Sequence, residues 1–249
     1  MRRALLVAGL LTAIAAALPA RAENVDLLLV LAADVSRSIN DEEFNLQRKG
    51  YAAALADPKV ITAISRGANR AVALTYVEWA GSGEQKIVVD WTTIHDGEDA
   101  AVVASAILAA PRSFLSRTSI SEAIDFSVAQ LAAAPASAER KVIDISGDGT
   151  SNAGRPVGDA RDEAVAKGIT INGLAIINTQ INPGFLSHTQ PPGGLPNYYR
   201  ENVIGGTGAF LLVVENFATF TEAMTRKLVS EIAGLPGAPR HAWNAAGLR

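Results

Sequence analysis

Asp34-Val35-Ser36-Arg37-Ser38 sets a carboxylate and two hydroxyls at alternate positions directly after an apolar run. In an extended turn, that alternation sends all three side chains to one side. Oxygen donors of this kind suit hard divalent cations. A second carboxylate, Asp148, stands in Gly147-Asp148-Gly149-Thr150, after the β-rich segment Lys141 to Ser146. Between them Arg117-Thr118-Ser119-Ile120-Ser121 opens a helical stretch, where Thr118 offers a third hydroxyl. Taken singly, the first segment reads as a helix cap and the Gly-Asp-Gly as a turn, while Thr118 or Ser119 reads as an N-cap. Taken together they describe a cation site with two acids and three hydroxyls. When neither acid binds the ion most closely, it stays short of negative charge and seeks another anionic oxygen. No His or Glu is obviously placed to activate a metal-bound water, so the pattern favours binding over hydrolysis.

These residues need elements that bring three distant segments to one edge. Val25 to Ala33 is a nearly continuous apolar run, as expected of a strand covered on both faces. Helical spacing follows over 40–56, then two β-rich segments, 71–80 and 86–91, around a Gly81-Ser82-Gly83 hairpin turn. Helices are expected over 97–110, 119–134, 156–167 and 217–232, with strands at 141–146, 169–177 and 209–214. The alternation implies a doubly wound α/β fold with a mostly parallel central sheet, helices on both faces and one antiparallel edge strand. Ligands of such sheets bind beyond the carboxyl ends of the strands, at the loops after residues 33, 146 and 177.

The chain has 249 residues, with 22 Lys+Arg against 25 Asp+Glu and no Cys. Disulfides, thiolate metal sites and Cys nucleophiles are excluded, and there is no basic footprint for nucleic acid. Residues 1–22 combine Arg2 and Arg3, an apolar stretch from Ala4 to Leu18, and Ala20-Arg21-Ala22, the pattern of a cleaved signal peptide. The stretch is short of a membrane span and Pro19 breaks it. Cleavage before Glu23 would shift the net charge from -3 to -6. The expected organisation is a signal peptide over 1–22, one domain over 23–233 and a loosely packed tail over 234–249. The product is expected in the periplasm or the medium, with no membrane span.

The pieces DVSRS at 34–38, the Thr of RTSISEAI at 118 and the Asp of SGDGTSN at 148 resemble the metal-ion-dependent adhesion site of von Willebrand factor type A domains. The resemblance spans about residues 25–233 and is strongest to exported, single-domain bacterial members. It implies the Rossmann-like fold of that family. It also implies Mg²⁺, with Mn²⁺ as a substitute, held by Ser36, Ser38 and Thr118 directly or through water, with Asp34 and Asp148 supplying charge. It implies a protein partner offering an Asp or Glu carboxylate, and a binding module instead of an enzyme. Arg37 departs from the family, which usually has a small residue there.

Three readings compete. Gly149-Thr150-Ser151-Asn152-Ala153 nearly matches a nucleophile elbow, with Asp159, Asp162, His188 and His241 downstream, so a periplasmic serine hydrolase using Ser151 is the enzyme alternative. Asp34 as a phosphotransferase nucleophile would want a second acid where Ser36 stands. A structural scaffold without ligand is the third. The three histidines, His95, His188 and His241, share no ligand spacing. Asp144, a carboxylate within a central strand, reads as a hydrogen-bonded structural group, with support of the cation site as the alternative. The segment 178–208 is long for a loop. It is expected either to form a wall beside the cation site, with Tyr198, Tyr199 and Arg200 facing a partner, or to pack as a short helix closing the sheet edge.

Overall fold

The computed structural model describes residues 22–177, 191–215 and 219–234. The expected signal peptide up to Arg21, the tail beyond Gly234 and the stretch 178–190 lie outside them. Six strands form one sheet in the order β3-β2-β1-β4-β5-β6. They are β1 (Leu27–Asp34), β2 (Val72–Trp79), β3 (Gln85–Ile94), β4 (Lys141–Gly147), β5 (Thr170–Ile176) and β6 (Leu211–Val214). All pairs are parallel except β2 with β3, so the antiparallel strand sits at the edge, as the hairpin spacing predicts.

β1 is central and every one of its residues is buried. Leu27, Leu29, Leu31 and Ala33 enter one core; Leu28, Val30 and Ala32 enter the other. That is why the run is apolar without alternation. The first core lies under α1 (Asp41–Leu55), α2 (Pro58–Ser65), α3 (Gly97–Ala109) and α7 (Phe220–Ala233). The second lies under α4 (Ile120–Ala132), α5 (Val157–Ala166) and a short helix, α6 (Leu195–Tyr198), prolonged by a π-helical turn over Tyr199–Val203. Full burial of one large apolar side chain contributes about 1.5–3 kcal/mol, and both layers are rich in them. Tyr51 on α1 packs edge-on against Tyr76 and Phe220, with ring centroids 5.1 and 5.3 Å away. A side chain at Gly50 would collide with the Phe220 ring, so α1 and α7 approach closely there.

Asp144 on β4 is fully buried and pairs with Lys227 Nζ of α7 at 2.8 Å. The same ammonium meets Glu231, whose Oε1 also accepts from Asn172 Nδ2 at 2.8 Å. Asp144 is therefore an ion-paired structural group under α7, in line with its structural reading. Among the described residues no helix is long and apolar enough to cross a membrane.

Candidate metal centre

The register of the central strands sets the site. Asp34 ends β1 opposite Trp79 of β2, and Ala33 lies opposite Ser146 of β4, so the loops after β1 and β4 leave the sheet at the same level. Asp34, Ser36, Thr118 and Asp148 are buried, and Ser38 is half-buried. Ser38 Oγ donates to Asp148 Oδ1 at 2.6 Å and lies 3.2 Å from Ser36 Oγ. Thr118 Oγ1 donates to Ser36 Oγ at 3.3 Å. All five residues named from the sequence are thus within one hydrogen-bonded cluster.

Asp34 Oδ1 accepts from the Ser36 backbone N–H at 2.7 Å, while Oδ2 is buried without a hydrogen-bond partner among the described residues. Burial, reinforced by the charge of Asp148, pushes the Asp34 carboxyl up to about 8 against the opposing hydrogen bonds from Ser36. A buried carboxylate oxygen lacking a donor, beside a second acid and three hydroxyls, fits a hard divalent cation. Ser36, Ser38 and Thr118 are the hydroxyls that would hold it, and Asp34 and Asp148 the charges that would balance it. When bound, the ion would supply an electrophilic site for one more anionic oxygen. Among the described residues no three His, Cys, Asp or Glu side chains gather as a metal cluster; the donor set here depends on its hydroxyls.

Sequence reasoning missed the residues that shape these loops. Arg112 Nη2 reaches the carbonyls of Val35, Ser36 and Ile39 at 2.8, 2.9 and 2.8 Å, fixing the loop after β1 from behind. Arg48 is paired with the buried Glu78 and donates to the Ala110 and Pro111 carbonyls, while Glu78 Oε2 accepts from Ser113 N–H at 3.0 Å. These contacts anchor the segment leading to Thr118. Both guanidiniums lie over the Phe44 ring, at 4.5 Å for Arg48 and 5.0 Å for Arg112. Gln47 Nε2 donates to the Asp34 carbonyl at 3.0 Å. α1 starts where the loop ends, through a capping box of Asn40 and Glu43, which the spacing Asn-x-x-Glu could have revealed. Nothing in the sequence marks Arg112.

The segment 191–203 meets the expectation of a short helix and corrects the other at one residue, because Tyr199 is turned into the core instead of outward. It packs as a helix against α5, and Tyr199 is buried with its hydroxyl beneath the site. A Cβ at Gly147 would lie 2.7 Å from Tyr199 Oη and 3.0 Å from Asp34 Oδ2, so both polar atoms crowd the same point. Burial and the nearby Asp34 and Asp148 hold the Tyr199 phenol well above its usual range. Tyr198 Oη accepts from Ser151 N–H at 3.2 Å, and exposed Arg200 donates to Asn197 Oδ1 at 2.9 Å. Gly147→Ala is expected to push Asp34 and Tyr199 apart, weakening divalent-cation affinity at least about tenfold and costing about 1–3 kcal/mol of stability. Cation titration followed by melting checks both; unchanged affinity would show that this crowding does not shape the site.

Ser151, the alternative nucleophile, accepts from Ile120 N–H at 3.2 Å, and its hydroxyl lies 3.1 Å from the Ala153 carbonyl. It stands in for the cap that Ser119, the residue before α4, does not provide with its own side chain. Asp159 and Asp162 lie on α5; His188 and His241 are outside the described residues. His95 sits between Glu23 and Asp99 on an exposed surface, 2.8 and 3.0 Å from their carboxylates.

A six-stranded sheet of this order, with its acids and hydroxyls gathered at the carboxyl edge of β1 and β4, has the von Willebrand factor type A fold, and solved structures agree. The chain belongs to the family described as Protein of unknown function (DUF1194), whose profile matches residues 24–236. Proximal thread matrix protein 1 from the mussel byssus, in a structure with a zinc-occupied metal-ion-dependent adhesion motif, is 15% identical with a TM-score of 0.62, over 86% of this chain and 50% of that one. A von Willebrand factor type A structure from Catenulispora acidiphila is 16% identical (TM-score 0.57; 85% and 43% of the two chains). The pilus adhesin SpaC from Lactobacillus rhamnosus GG is 12% identical (TM-score 0.59; 85% and 31%). The chain spans about half the length of the mussel structures it matches. Likeness at these identities establishes the fold. Comparison with curated proteins finds no significant match.

Proposed function

We propose that this chain is an exported binding module that holds Mg²⁺, or Mn²⁺ in its place, and through it a carboxylate of a protein partner. The observation that carries the reading is the convergence of Asp34, Ser36, Ser38, Thr118 and Asp148 into one cluster that includes a buried Asp34 oxygen without a donor among the described residues. The zinc-occupied adhesion motif of the mussel protein and the adhesin among the similar folds support it. The signal-like pattern over residues 1–22 supports export to the periplasm or the medium. We read the protein as a binder, with Ser151 as a helix cap. The test is binding of a synthetic peptide bearing one Asp, measured by fluorescence polarisation with Mg²⁺ and with chelator. Binding should require the metal and disappear in Asp148→Ala; metal-independent binding, or none, would sink the reading.

A further inference from the structure

The metal edge of this acidic protein carries two exposed arginines, each adjacent in sequence to a proposed ligand. Arg37 lies between Ser36 and Ser38, and Arg117 directly precedes Thr118. Their loops touch: Arg37 N–H donates to the Ser116 carbonyl at 2.9 Å, so the two side chains leave neighbouring points of one rim. Arg117 Nη2 donates to the Asn152 carbonyl at 2.9 Å, which brings that guanidinium to the loop that follows Asp148. Neither guanidinium has an acidic partner among the described residues. An acid on this flank, Glu84, has Oε2 engaged by Gly81 N–H at 3.0 Å and by the Ser116 hydroxyl.

Formal charge then decides what completes the surface. A divalent cation is balanced by Asp34 and Asp148 together, and Arg37 and Arg117 add two guanidiniums to the rim that no acid pairs with among the described residues. One partner carboxylate on the metal leaves both guanidiniums without an acid. We infer that the partner presents paired acidic groups, one carboxylate for the metal and a second one, close in its chain, for Arg37 and Arg117. The ligand class is an acidic peptide segment with two neighbouring Asp or Glu residues. Guanidinium suits the second role because its planar fork can grip a carboxylate through two parallel hydrogen bonds. This inference rests on the metal-dependent reading above and deepens it.

The experiment compares two synthetic peptides of equal length on Mg²⁺-loaded protein, one with a single Asp and one with two Asp separated by a Gly. The two-acid peptide should bind about three- to tenfold tighter at low salt, with the advantage shrinking as salt screens the rim. In the double variant Arg37→Gln/Arg117→Gln the advantage should vanish, while the Mg²⁺-induced melting shift shows that the protein is folded and its cation site intact. Equal affinities in the wild type, or an advantage that survives the double variant, would overturn the inference while leaving metal-dependent binding of the one-acid peptide in place. Failure of both peptides to bind would overturn both proposals.

Discussion

Asp34→Asn should give a folded protein that no longer responds to divalent cations. The substitution keeps the acceptor for the Ser36 N–H and replaces the other carboxylate oxygen with an uncharged amide group. Burial and Asp148 already oppose a negative charge at this position, so the neutral amide should cost little and can raise cation-free stability. The wild type should gain about 2.7 kcal/mol when Mg²⁺ stands a hundredfold above its Kd. For a chain of this size that is a rise in Tm of about 5–10 °C. Calorimetry with and without Mg²⁺ or Mn²⁺ makes the comparison. A shift of wild-type size in Asp34→Asn would remove Asp34 from the site, and a variant that cannot fold would contradict the account of its burial.

Lys227→Met should produce a large loss of stability. Its ammonium is fully buried between Asp144 and Glu231, and without it two buried acids face each other. Breaking a buried ion pair from one side typically costs about 3–5 kcal/mol. Burial already raises the Asp144 carboxyl to about 7, with Lys227 opposing the rise. Removing the ammonium raises it further, so the folded state holds protons that the unfolded state releases above about pH 4. Stability then falls as pH rises through that interval, and the deficit of Lys227→Met should be larger at pH 8 than at pH 5. Urea unfolding at the two pH values measures this. Adding Asp144→Asn and Glu231→Gln, which neutralise the acids and keep an acceptor for Asn172, should restore part of the loss and flatten the pH dependence. A constant deficit would show that Asp144 does not titrate in this interval.

Much of the architecture is legible in local sequence because the sheet imposes it locally. β1 must be apolar on both faces, and Gly81-Ser82-Gly83 must turn the chain between β2 and its antiparallel neighbour. α2 was not legible: it is eight residues long, and only Val60 and Ile64 are buried, too few for a periodic stripe. The five candidate ligands could be read because the oxygen chemistry of each stands in a short motif at the end of a predicted element. Arg112, Tyr199 and Lys227 could not. Each acts across the fold, and its role depends on where the backbone of another segment arrives. Tyr199 stands beside Tyr198 in sequence, yet its burial beneath the site follows from the packing of α6 and the π-helical turn, which no local pattern announces. The partner of Asp144 is hidden from its strand for a similar reason, since the counter-ion comes from α7.

The separation of the clustered hydroxyls and acids has a kinetic consequence. Ser38 and Asp148 are 110 positions apart and Ser36 and Thr118 are 82 apart. A calcium loop formed from consecutive residues can assemble around its ion early; this cluster cannot exist until β1 has paired with β4 and α4 has docked. Long-range closure of that kind comes late in folding. A cation held here would therefore stabilise the completed fold more than the transition state leading to it. Its effect would fall on the unfolding rate, lengthening the lifetime of the native protein while leaving the speed of folding nearly unchanged.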